Sequence, residues 1–251
     1  MKIKYFLALA AVSGLGLSSS ASAEIKWQTS SSVSGCSGSS CAVTSSGVAV
    51  TASAWANTVG TTNTQIETAY LGVYSSGLGV KNKDACTAPC TNDAGENIAP
   101  EHAMDNNGRF DSILFSFSSK IVMNKVEIGY KSGDSDISVL AYIGAGAPVL
   151  GGQTYANLMA SSSWVKVGNY ADLATNTPKV VNSSGTASSY WLIGTYNSIF
   201  GGTLDNGNDH VKLLALYGDK VTPPQVGLVP TPPTLLLMGI GMLGLMRFRK
   251  A

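Results

Sequence analysis

The chain has 251 residues, of which only 12% are charged, and its 16 Lys and Arg nearly cancel 15 Asp and Glu. A typical globular chain is about 25% charged, so there is no field to gather a polyanion, and the balance argues against a nucleic-acid partner.

Chain order begins with "MKIKYFLALAAVSGLGLSSSASA", in which Lys2 and Lys4 precede an apolar stretch from Tyr5 to Leu17 and a small-residue triplet, Ala21-Ser22-Ala23. This is the layout of a secretory signal peptide, residues 1–23, and it predicts a mature chain starting at Glu24. A buried N-terminal helix fits less well, because Gly14, Gly16 and the serine run would break it. Export makes disulfides the first reading of the four cysteines, Cys36, Cys41, Cys86 and Cys90. Three connectivities are open; pairing within each close pair would staple a loop. Neither C-x4-C nor C-x3-C has zinc-ribbon spacing.

The Ser/Thr/Gly-rich stretch from Thr29 to Ser53 reads as a loose lead-in, with a first strand starting near Val48 and Val50. Strands are predicted at Gly47 to Ala56, Ile66 to Tyr74, around Ile113 to Phe117, at Val126 to Tyr130, and at Ile137 to Ile143, the last three by alternation of apolar and polar residues. "SYWLIGTYN" (Ser189 to Asn197) and "HVKLLALYG" (His210 to Gly218) are apolar on both faces, which predicts central strands. Gly, Asn, Ser and Asp clusters supply the turns, and Gln153 to Met159 allows a turn or two of helix. Many strands without crossover helices predict an all-β fold, an antiparallel β-sandwich of jelly-roll type over residues 24–221.

Catalytic signatures are sparse. There is no G-x-S-x-G, no H-E-x-x-H and no P-loop, and the histidines are two, His102 and His210. Both sit beside acids and read as hydrogen-bonded turn residues before they read as ligands. A G-x-G-x-x-G at Gly239, Gly241 and Gly244 lies in an apolar tail without the βαβ context that gives it meaning. The chain is therefore not read as an enzyme, and no catalytic residue or cofactor is assigned. "EHAMDNNGRFDS" reads first as a turn; its oxygen ligands Asp105, Asn107 and Asp111 also suit a structural calcium ion. "LDNGNDH" repeats the theme, and carboxylates of the two loops could share an ion if the fold brought them together. Trp164 and Trp191, on or beside strands, are candidates for stacking on sugars, against the alternative that they fill the core.

The C-terminal end has three parts: a proline-punctuated linker (222–233) containing Val229-Pro230-Thr231-Pro232, an apolar run from Leu235 to Met246, and the cations Arg247, Arg249 and Lys250. Twelve helical residues reach about 18 Å, short of the ~30 Å hydrocarbon core of a bilayer. This tripartite signal resembles that of bacterial PEP-CTERM proteins, the substrates of exosortase, although Thr231 stands where the usual Val-Pro-Glu-Pro has Glu. "EHAMDNNGRFDSILFSF", "SGDSDISVLAY" and "SYWLIGTYNSIFGG…DNGNDHVKLLAL" are similar to one family of such exosortase-dependent surface proteins. The resemblance implies sorting by an exosortase, transient anchoring in the inner membrane through residues 234–251, and a final place at the cell surface or in the extracellular matrix. A structural or adhesive role is the expectation, with a carbohydrate-binding module for exopolysaccharide as the alternative.

Overall fold

In a computed structural model of the chain, the described residues are 23–59, 65–83, 99–205 and 207–221. The expected signal peptide (apart from Ala23), the linker and sorting motif, the apolar run with its basic tail, and Cys86 and Cys90 lie outside them. Among the described residues no helix is long and apolar enough to cross a membrane.

The fold is all-β and antiparallel. Among the described residues, fourteen strands join through hydrogen bonds: β1 (Ile25–Gln28), β2 (Cys36–Ser37), β3 (Ser40–Ser45), β4 (Val48–Val59), β5 (Gln65–Thr68), β6 (Tyr70–Tyr74), β7 (Gly77–Lys81), β8 (Met104–Asp105), β9 (Asp111–Gly133), β10 (Ile137–Tyr142), β11 (Trp164–Tyr170), β12 (Lys179–Val180), β13 (Ala187–Thr195) and β14 (Asp209–Lys220). A short α-helix, α1 (Tyr155–Ala160), starts where the Thr154 hydroxyl accepts the Asn157 N–H. It falls in the stretch where one or two helical turns were allowed.

β9 is the spine. The sequence predicts two separate strands in its span, but Ser118, Ser119 and Lys120 bring no Gly, Pro, Asn or Asp to turn the chain, and Ile121 and Met123 carry the buried alternation onward, so the chain runs through. Its first half lies between β4, which pairs Val50 with Phe117, and β13, which pairs Leu192 with Leu114. Its second half pairs mainly with β14, from Ile121 opposite Lys220 to Gly133 opposite Asp209. The predicted central strands are central: β13 runs between β10 and β9, and β14 between β9 and β7.

Period-2 alternation sorts the side chains. Ile113, Phe115, Trp191, Ile193, Val139 and Ala141 enter the main core. From the same strands Leu114, Leu192 and Leu140 point to a second cluster, closed by Tyr155 and Leu158 of α1 and by Phe200. The stretch from Thr29 to Ser53, read as a loose lead-in to a strand near Val48, carries β2 and β3 ahead of β4, and β1 lies before it, where the sequence predicts no strand. The reason is Trp27, 1% exposed, whose ring meets Phe117 edge-on at 5.0 Å while its Nε1 donates to the Val48 carbonyl at 2.9 Å. Burying such a ring stabilises by roughly 1.5–3 kcal/mol, to which the antiparallel pairing of β1 with β14 adds its hydrogen bonds. The β2–β3 hairpin is closed by a Cys36–Cys41 disulfide, one of the open pairings. The stretch predicted as one strand at 66–74 breaks at Ala69, where the chain leaves β4 as partner for β7.

Candidate functional site

Chemistry concentrates at one end of the sheet, where the turn after Pro100, the β9–β10 connection and the loop before β14 meet. The two acidic loops singled out in the sequence are joined directly: β8 pairs with the start of β14, placing Asp105 opposite His210 and Met104 opposite Val211. Between them sits a reciprocal clasp. Asn106 donates from Nδ2 to Asp209 Oδ2 at 2.6 Å and to the Tyr196 carbonyl at 3.0 Å, while its Oδ1 accepts the Asp209 N–H at 3.0 Å. Asp209 Oδ1 accepts the Asp136 N–H at 2.6 Å, which draws the β9–β10 connection into the same knot.

Asp209 is fully buried, and that desolvation pushes its pKa up to about 7 against the hydrogen bonds from Asp136 and Asn106 that favour the charged form. Asp136 is raised for the same first reason, with the nearby charges of Asp134, Asp205 and Asp172 adding to it. Asp134, Asp136 and Asp172 bring carboxylate oxygens within 4.8 Å of one another, and Asp136 also accepts the Asp172 N–H at 2.8 Å. Nothing in the sequence reading had gathered these three; the i, i+2 spacing of Asp134 and Asp136 was the one available sign, and it looked like a turn.

The calcium trio is used differently from the way its spacing suggests. Asp105 Oδ1 accepts the Asn107 N–H at 2.9 Å, an Asx turn, and Asn107 itself is exposed. Asp111, 1% exposed, accepts from Asn82 Nδ2 at 3.1 Å and from the Asp105 N–H at 3.3 Å, so its carboxylate fastens β8 to the residue that follows β7. The groups the fold gathers with Asp105 are Glu101 and His210, whose ligand-type atoms all lie within 4.8 Å. His210 is a strand residue rather than a turn residue. His102 stacks on Tyr74 at 4.7 Å between centroids, and burial lowers its pKa. Beyond it Lys212, 2% exposed, lies over the rings of Tyr130 and Tyr74 at 3.8 and 4.7 Å; burial lowers its pKa to about 8.

The stacking candidates separate. Trp191 has no exposed face and donates from Nε1 to the Ser188 carbonyl at 3.1 Å, so the expectation that it stacks on a sugar is corrected: it is a core residue. Trp164, 7% exposed, packs on Tyr142 with centroids 5.1 Å apart, and both line a cleft of about 280 Å³ with Gln153, Asn157, Ser161 and Ser163. A wider open groove, about 550 Å³, runs along β6 past Tyr70, Tyr74 and Lys81 and is lined by none of the acids above.

The chain matches no protein-family model, no curated protein and no solved structure.

Proposed function

We propose that this chain is an exported bacterial surface or extracellular-matrix protein, a β-sandwich sorted through its C-terminal signal, with a structural or adhesive role. The observation that carries the reading is the pairing of a signal-peptide-like layout at 1–23 with the tripartite end: Val229 to Pro232, Leu235 to Met246, and Arg247, Arg249 and Lys250. A short apolar helix would pause in the inner membrane with its cations on the cytoplasmic side, and the proline linker would present an extended segment for cleavage by an exosortase-type enzyme. Three structural features support it. β1 starts at Ile25, directly after the expected mature start. A disulfide between Cys36 and Cys41 suits an oxidising compartment. The two strand neighbourhoods along β9 contribute to one core, as the layers of a sandwich do.

Fractionating producing cells with and without the sorting enzyme tests this. The chain reaches the surface or medium in the first and stays in the inner membrane in the second; the same distribution in both would overturn the sorting reading.

The cleft at Tyr142 and Trp164 favours a second reading, a module for exopolysaccharide, since an aromatic wall with amide and hydroxyl groups beside it is the chemistry that holds a sugar. Glycan affinity of the purified protein, lost in Tyr142→Ala and Trp164→Ala, would favour the module; affinity that is absent, or indifferent to both changes, would leave the structural role.

A further inference from the structure

We propose that Glu101, Asp105 and His210 bind one divalent transition-metal ion of the zinc class. Direct cross-strand pairing of Asp105 with His210 puts the two side chains on one face of the β8–β14 ladder, where opposite residues stand about 5 Å apart. Glu101, on the half-buried turn before β8, completes a set whose ligand atoms are all within 4.8 Å. Donors held at ~2.0–2.1 Å from a tetrahedral ion are about 3.4 Å from one another, a distance that small side-chain rotations reach.

The imidazole supplies the second, independent observation. His210 is 8% exposed, and its Nε2 is buried without a hydrogen-bond partner. Its Nδ1 lies 3.3 Å from the Asn208 carbonyl, which fixes the proton on Nδ1 and leaves the Nε2 lone pair unused. That is the arrangement of a metal-ligating histidine, oriented by a backbone carbonyl through its other nitrogen. An empty buried acceptor costs about 1–3 kcal/mol; His102 Nδ1 is likewise buried without a partner, but it is a ring nitrogen of His210, not of His102, that the fold gathers with two carboxylates.

Donor chemistry selects the ion. One imidazole nitrogen and two carboxylates suit zinc or its transition-metal neighbours, whereas calcium takes six to eight oxygens. The ion would tie the turn at 99–103 to the last strand of the sheet, and three protein ligands leave a position for water on the exposed side of Glu101. This site does not depend on the sorting reading.

The test is equilibrium dialysis of the untagged full chain, stripped with chelator, against zinc, manganese or calcium chloride, with bound metal counted by mass spectrometry and thermal melts in parallel. One zinc per chain is expected, bound at least 100-fold tighter than calcium, with a melting temperature that rises on zinc addition. His210→Gln and Glu101→Gln each weaken zinc at least tenfold and remove that rise, while His102→Gln leaves both unchanged. Glu101 is on a half-buried turn, so its variant answers the question even if His210→Gln folds poorly. No retained zinc, equal retention by the Glu101→Gln protein, or equal affinity for calcium would overturn the site.

Discussion

Replacing Asn106 with Ala perturbs the clasp that joins three loops, and the structure gives the size of the effect. The side chain is 3% exposed, and its loss abandons the Asp209 Oδ2, the Asp209 N–H and the Tyr196 carbonyl. Each buried group left without its partner costs about 1–3 kcal/mol, more where a charge is involved. Some relief comes from water entering the space the amide vacates, so the expected loss is about 3–5 kcal/mol out of a total stability on the order of 5–15 kcal/mol. The Asn106 bond also favours the charged form of Asp209, so without it the carboxyl is pushed further up. Removal therefore hurts more at pH 8, where the group must ionise, than at pH 5, where it is protonated. Urea unfolding of wild type and variant at both pH values, with chelator present so that metal does not enter, measures this. A loss under about 1 kcal/mol, or one equal at the two pH values, would refute the assignment of the clasp as a desolvated anchor.

Three further outcomes are expected. Gly77 has φ +118° and a Cβ there would lie 2.4 Å from the Leu213 carbonyl oxygen, whereas Gly38 has φ +60° and open space around it. Urea midpoints should show Gly38→Ala losing about 1 kcal/mol, from backbone conformation alone, and Gly77→Ala clearly more. Opening the Cys36–Cys41 link by double replacement with Ser should cost about 2 kcal/mol, the chain-entropy value for so short a loop, and peptide mapping of the native chain should recover that pair. Asp209 and Asp136 both have folded pKa values above their unfolded ones, so each contributes stability that is complete below about pH 4 and is lost as pH rises. For Asp209 that loss runs up to about pH 7. In chelator, Asp209→Ser should flatten the fall in unfolding free energy over this window, and an unchanged slope would count against its buried ionisation.

What could be read from sequence followed from periodicity. β13 and β14 announced themselves as central because Leu192, Ile193, Leu213 and Leu214 are apolar on both faces, and the structure covers both faces. β9 reads as two strands because polar Ser116, Ser118 and Ser119 resemble an interruption, although in the structure Ser118 is exposed and Ser116 and Ser119 are half-buried within one continuous strand. β1 was missed because Ile25 and Trp27 are only two apolar positions; a long-range contact with Phe117, not local pattern, makes them a strand. The candidate site shows the same limit. Its acids were visible as loops at 101–111 and 205–210, but only the β8–β14 register turns neighbours in composition into neighbours in space. Asp134, Asp136 and Asp172 come from two segments that no spacing connects. Trp191 illustrates the converse, since an aromatic on a strand has the same sequence signature whether it faces a ligand or the core.

The central claim, delivery by cleavage of a sorting signal, is tested most directly by the intact mass of the protein recovered from native envelope and medium. The account predicts a chain that begins at Glu24 and ends near Thr231, with any added mass identifying what is attached there. A chain that still ends at Ala251 would contradict it, leaving residues 234–251 as a plain membrane anchor and removing the support for a sorted matrix protein.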